Sequence, residues 1–278
     1  MADYQHFMTF NLTDPLTGKT KNIFDDFGGR IINTNEQYYE RECMPQVNFI
    51  TDKNDNRDGE IFINAHYGTR TIDMVCFFDE ADGGGDLFEL KRWLYKSRDG
   101  KRYPQLFEWD GDDEDKYILA HESGGWLSKV YYQKKFYGEI PLKFIAHNSF
   151  YSIKNEKNII FPNMNIGDSK NIRCAGNSES FPLIKITPNG TQSIIQFKWN
   201  DLVVTLSNVD KPIYLDCELN KTYEYINGIL TPVNGKYSST KFIKYPYIIA
   251  DSDVKNSFTI LQGSINEFRI SARSRILW

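Results

Sequence analysis

The chain has 278 residues, enough for one large β domain or two ordinary ones, and two fits the usual size of a folding unit better. Charged residues make up 25% and apolar residues 40%, as in folded soluble proteins. A net charge of −4 without a long Lys/Arg block argues against binding driven by phosphate neutralisation. Aromatics reach 15%, with 17 Tyr and 19 Phe, and flat, stiff rings suit pleated sheets, so the composition leans towards β structure.

The opening residues Met1-Ala2-Asp3-Tyr4-Gln5-His6 hold no basic stretch followed by an apolar one, so no signal peptide is expected. No apolar run approaches the ~20 residues of a membrane span. Residues 60–68 read as a strand ending in Gly68, and residues 71–78 as a second. The alternation of the second breaks towards its end, which predicts burial on both faces. Between them and the next strands lies the one predicted helix, about residues 86–99. Asp86 is its expected N-cap and Glu89 its capping-box partner. Leu87, Leu90 and Leu94 form an apolar stripe widened by Trp93, Lys96 and Arg98 fill the last turn, and Gly100 ends it. Residues 116–120, 129–133 and 139–146 are three more strands, the last demoted to an edge or bulge by Pro141.

After about residue 150 the pattern is wholly β. Strands at 169–175, 183–187, 193–199, 202–206, 213–218, 224–226 and 257–260 recur every 8–12 residues or so. Turns at Pro188-Asn189-Gly190, Trp199-Asn200-Asp201 and Asn227-Gly228 separate several of them. That spacing predicts a sandwich. No internal repeat or low-complexity linker marks the boundary, which is placed near Phe150-Tyr151 by the change of pattern.

Residues that could carry chemistry are few. Asp110, Asp112, Asp113 and Asp115 crowd one loop, but the glycine and spacing do not fit a calcium loop, and a solvated hairpin loop explains them more simply. Asn54, Asn56, Asp58 and Gly59 imitate such a loop, yet Ala65 stands where a bidentate Glu is required. His6, His66, His121 and His147 lack partners at metal-ligand spacing. Cys43, Cys76, Cys174 and Cys217 form no C-x-x-C pair, which predicts free thiols buried in strands. Glu122-Ser123-Gly124-Gly125 reads as a turn rather than a serine site, and no P-loop, H-E-x-x-H or G-x-S-x-G motif occurs. The expectation is a protein that is not an enzyme and has no metal and no cofactor. Trp126, Tyr131, Tyr132, Trp199, Tyr245 and Tyr247 could stack on sugar rings; core or subunit-interface roles are commoner for aromatics on a sandwich.

Two segments carry a resemblance. Arg102-Tyr103-Pro104-Gln105-Leu106-Phe107-Glu108-Trp109 leads through the acidic turn to Lys116-Tyr117-Ile118-Leu119-Ala120. Further on comes Ile140-Pro141-Leu142-Lys143-Phe144-Ile145-Ala146-His147-Asn148-Ser149-Phe150-Tyr151. Together with Tyr67–Met74, Asn177–Ile186, Ile213–Glu218, Gly263-Ser264-Ile265-Asn266-Glu267-Phe268 and the basic end Arg273-Ser274-Arg275-Ile276-Leu277-Trp278, they resemble the distal tail (Dit) family of siphophages over nearly the whole chain. The family often has Asp-Pro where this chain has Asn148-Ser149.

The resemblance implies a mainly β protein with an N-terminal belt domain, a β-barrel or sandwich over about residues 1–150, which the last strand at 269–278 would complete. A galectin-like β-sandwich over 151–268 would follow. It further implies a structural virion protein at the tail tip, made in the bacterial host cytoplasm and assembled as a homohexameric ring. The ring would join the tail tube protein to the tail-tip protein or tail-associated lysin, anchor receptor-binding proteins, and pass phage DNA without binding it specifically; no membrane is involved. Asp110, Asp112, Asp113 and Asp115 would then face the lumen, where like charge repels the polyanion. The alternative expectation is an adhesin whose C-terminal sandwich reads cell-wall sugars through aromatics such as Trp126, Trp199, Tyr245 and Tyr247.

Overall fold

Among the described residues, five of the seven non-glycine residues with positive φ are asparagines: Asn155, Asn163, Asn200, Asn208 and Asn220. Asparagine tolerates the left-handed conformation, here at turns and, for Asn163 and Asn208, within strands. The computed structural model describes residues 9–32, 45, 47–53, 60–79, 87–109, 116–124, 131–132, 135–173, 175–226, 228–241, 244–250 and 255–277. Contacts divide the chain into two units, Met1–Tyr151 and Ser152–Leu277, with Trp278 assigned to the first.

In the first unit, β1 (Phe10–Thr13), β2 (Thr20–Asn22) and β3 (Arg30–Ile31) precede a hairpin of β4 (Val47–Lys53) and β5 (Glu60–Tyr67). Then come β6 (Arg70–Asp79), α1 (Leu87–Leu94), β7 (Ser97–Arg98), β8 (Lys101–Arg102), β9 (Gln105–Trp109), β10 (Lys116–Glu122), β11 (Tyr131–Tyr132) and β12 (Lys135–Ala146). The main sheet runs β2-β1-β9-β10-β12-β6-β3, all antiparallel, with β11 on β12. Its inner face is set by period-2 alternation. β6 buries Arg70, Ile72, Met74, Cys76 and Phe78 while the residues between them face outwards. This strand is therefore one-faced, not buried on both sides as its sequence suggests. Phe10, Phe107 and Phe144, from β1, β9 and β12, meet with centroids 4.9 to 5.7 Å apart and form the aromatic centre of the unit.

Pro141 sits inside the long β6–β12 ladder, opposite Val75. The Val75 carbonyl turns to β3, where it accepts from the Ile32 amide. Val75 therefore faces Pro141 as a non-hydrogen-bonded pair, and the missing amide hydrogen of Pro141 takes nothing from this ladder. On the other side of β12, β10 pairs at Ile145 and Phe144, and no described strand pairs with Pro141 there.

The helix ends at Leu94, a turn short of the predicted end. Leu87, Leu90 and Leu94 are buried as the stripe predicts. Ser97–Arg98, however, pairs with Lys101–Arg102 as a small hairpin. Asp99 (φ 52°) and Gly100 (φ 70°) form its two-residue turn, so Gly100 is a hairpin residue and not a helix terminator. Asp86 lies outside the described residues.

The second unit is a sandwich. From Tyr151 onward the strands are β13 (Tyr151–Ile153), β14 (Ile159–Met164), β15 (Ser169–Ile172), β16 (Leu183–Pro188), β17 (Gln192–Trp199), β18 (Leu202–Val209), β19 (Ile213–Asp216), β20 (Lys221–Ile226), β21 (Ile229–Pro232), β22 (Tyr237–Ser239), β23 (Asn256–Gln262), β24 (Ile265–Ser271) and β25 (Arg275–Ile276). One sheet runs β14-β24-β16-β19-β20-β21 and the other β15-β23-β17-β18-β22. Phe258 of one sheet stacks on Phe268 of the other at 4.3 Å, and Phe197 meets Phe268 edge-on at 5.4 Å. Ile184, Ile186, Val204, Leu206, Leu215, Ile260 and Ile270 fill the rest of the core. Arg269–Ser271 continue β24 within this sandwich, whereas β25 and β13 pair with each other outside both of its sheets.

Candidate functional site

The β4–β5 hairpin is a sheet of its own, paired with no other described strand. Cross-strand register places Val47 opposite Tyr67, Phe49 opposite Ala65 and, beyond a bulge, Thr51 opposite Phe62. Val47, Phe49, Phe62 and Tyr67 therefore share one face, and the Phe49 and Phe62 rings contact edge-on at 6.3 Å. Asn48, His66, Ile50, Asn64 and Asp52 alternate onto the other face, which is mostly polar. Such a pattern belongs to a ribbon that packs its apolar side on a core, yet Phe49 is 67% and Phe62 61% exposed. An isolated two-stranded hairpin is marginal in water, and a contiguous exposed apolar face marks an interaction surface. Among the described residues Tyr67, which meets Phe150 at 5.7 Å, ties the hairpin to the rest of the unit by a ring contact.

The residues singled out by sequence fall in different places. Asp110, Asp112, Asp113, Asp115 and Trp126 lie outside the described residues, as does the Asn54–Gly59 loop. Trp199 is 1% exposed; it stacks near Phe258 at 6.0 Å and its indole N–H donates to the Tyr247 carbonyl at 2.8 Å. Tyr245 is buried too, stacked on Tyr237 at 4.0 Å with its hydroxyl 2.9 Å from that of Thr222. Tyr247 is half-buried with the Lys244 ammonium 4.5 Å from its ring centre. Trp199 and Tyr245 thus serve the core and present no ring to solvent.

Cys76 and Cys217 are free and buried. Desolvation pushes the Cys76 thiol up to about 12 and the Cys217 thiol well above the ordinary value, so neither is a nucleophile. Cys43 and Cys174 lie outside the described residues. Glu122-Ser123-Gly124 is a turn in which the Glu122 carboxylate accepts from the Gly124 amide at 2.9 Å, while the Ser123 amide donates to the Lys143 carbonyl. The fold brings His121 and His147 together at 5.6 Å, which no spacing in the sequence announced. Burial, together with the charges of His147 and Arg102, holds His121 below its usual value despite an opposing backbone hydrogen bond. Among the described residues no three His, Cys, Asp or Glu side chains converge as metal ligands, and no helix is long and apolar enough to cross a membrane.

No family model matches the sequence, and no curated protein matches it. Among solved structures, the fold is that of the Dit protein of phage SPP1, described as a paradigm of the hub adsorption apparatus in phages infecting Gram-positive bacteria. The TM-score is 0.58 at 9% identity, over 94% of this chain and 98% of that one. A chain of the phage p2 baseplate, in its activated conformation with Sr, gives 0.52 at 9% identity over 96% and 99%. The chain therefore has a Dit-like, mainly β fold, and the likeness covers nearly its full length.

Proposed function

We propose that this chain is a distal tail protein of a long-tailed phage, a non-catalytic ring subunit that joins the tail tube to the tail tip. The carrying observation is that the fold of a phage hub protein accounts for 94% of this chain and 98% of that one. The exposed β4–β5 face supports the same reading. A ring repeats one heterologous interface until it closes, and each subunit must then offer an apolar surface that is open in the single chain and covered in the assembly. In this reading Val47, Phe49, Phe62 and Tyr67 pack against the next copy in a hexamer. The ring holds receptor-binding proteins at its side, and phage DNA passes through its channel without specific contacts. Asp110, Asp112, Asp113 and Asp115 line that channel.

Light scattering on the purified chain, alone and with a tail-tube partner, tests this directly. A closed oligomer of six copies is expected. A Phe49→Ser, Phe62→Ser double variant should lose assembly at concentrations where the parent is closed, with its thermal midpoint as a monomer little changed, because neither ring lies in the core. A parent chain that stays monomeric with its tail partners present contradicts the proposal.

A further inference from the structure

The outward face of the six-stranded sheet in the second unit carries a pocket apart from the sandwich core. Arg269 of β24 stands opposite Lys185 of β16, and Lys185 opposite Tyr214 of β19, so three strands bring these side chains into one row. Alternation turns them away from the sandwich core, since their neighbours Ile184, Ile186, Ile270 and Leu215 are the buried ones. With Leu183, Ser271 and Asn158 they line a cavity of about 280 Å³.

The charge of this row points to a ligand. Lys185 and Arg269 share one carboxylate, Glu267, which accepts from the Lys185 ammonium at 3.2 Å and from one Arg269 terminal nitrogen at 3.0 Å; two cations against one anion leave a surplus positive charge. The rest of the lining is aromatic and hydroxylic: the Tyr214 ring, braced edge-on by Tyr225 at 5.6 Å, beside Ser271 and Asn158.

We propose that this pocket binds a single sugar ring carrying one anionic group. The anion takes the exposed edge of the Arg269 guanidinium and the Lys185 ammonium, the apolar face of the ring packs on Tyr214 and Leu183, and ring hydroxyls bond Ser271 and Asn158. The volume suits one ring. Trp199 and Tyr245 play no part, because both are buried on the other side of the sheet face. The inference is independent of ring assembly: failure of either leaves the other measurable on the full chain.

The test is titration of the full-length chain, by NMR or calorimetry, with glucuronate, glucose 1-phosphate, glucose and inorganic phosphate separately. Saturable binding of glucuronate or glucose 1-phosphate is expected, in the millimolar range usual for one weakly held ring, with glucose and phosphate each at least about tenfold weaker. Which anionic sugar saturates separates a carboxylated unit from a phosphorylated one. Arg269→Gln and Tyr214→Ala should each weaken binding by about tenfold or more without altering the thermal midpoint or oligomeric mass. Should Arg269→Gln not fold, Lys185→Gln carries the same test. No saturation by either anionic sugar, phosphate alone binding as well as the sugar, or unchanged binding in the folded variants overturns the proposal.

Discussion

Asp14 closes the first turn of the chain with three partners: the Leu16 amide at 2.9 Å, the Thr17 hydroxyl at 2.9 Å and the Lys96 ammonium at 2.8 Å. Burial by itself would raise its carboxyl, but the Lys96, Leu16 and Thr17 hydrogen bonds outweigh burial and hold it at about 2, below the 3.8 of an unfolded aspartate. Its stabilising contribution is therefore complete above about pH 4 and is lost as the pH falls from 3.8 towards 2. Because Lys96 is half exposed and screened, Asp14→Asn should cost about 1–2 kcal/mol at pH 7. The gap between variant and parent should close near pH 2, as read by chemical denaturation at both values. The pairing of Asp14 with Lys96 spans 82 positions and has no local signature. Trp199 shows the same limit. It sits beside the Asn200-Asp201 turn and could have stacked on a sugar, yet the strand alternation that buries Phe197 also buries Trp199, and the Tyr247 carbonyl that satisfies its N–H lies 48 residues away.

Among the elements, hairpins are the part most directly written in the sequence. Asn200 and Gly228 take positive φ at turns predicted from their residue types. The Asp99-Gly100 pair shows how such a signal is missed: it follows an apolar helical stripe, so Gly100 reads as a helix end, while both residues adopt the left-handed conformation of a two-residue hairpin. Nothing lies within 4 Å of a side chain added at Gly100, so Gly100→Val isolates the backbone effect. A β-branched residue forced to positive φ should cost about 1–2 kcal/mol, with faster amide exchange at Ser97–Arg102 and α1 unchanged. The short strands β1 to β3 and the edge strand β14, which holds Pro162, carry too few residues to declare a period. β5 was legible, but its partner β4 was not, and neither was the openness of their shared face. Alternation marks an apolar face without saying whether the same chain or another copy covers it.

For the whole molecule, the mainly β class and the sandwich after residue 150 were legible because turns recur at regular spacing and each strand needs only one apolar face. That pattern, rather than residue identity, is what this chain shares with hub proteins at 9% identity. The contents of the outer sheet face were not legible. Arg269, Lys185 and Tyr214 lie up to 84 positions apart and meet only through β24–β16–β19 pairing. Assembly is the property on which the functional account depends, and electron microscopy of the purified chain with its tail-tube partner measures it most directly. A closed sixfold ring with β4–β5 of each copy lying against its neighbour is the expected image. Single particles of one chain, or a ring in which the Phe49 and Phe62 face remains open to solvent, would contradict the account.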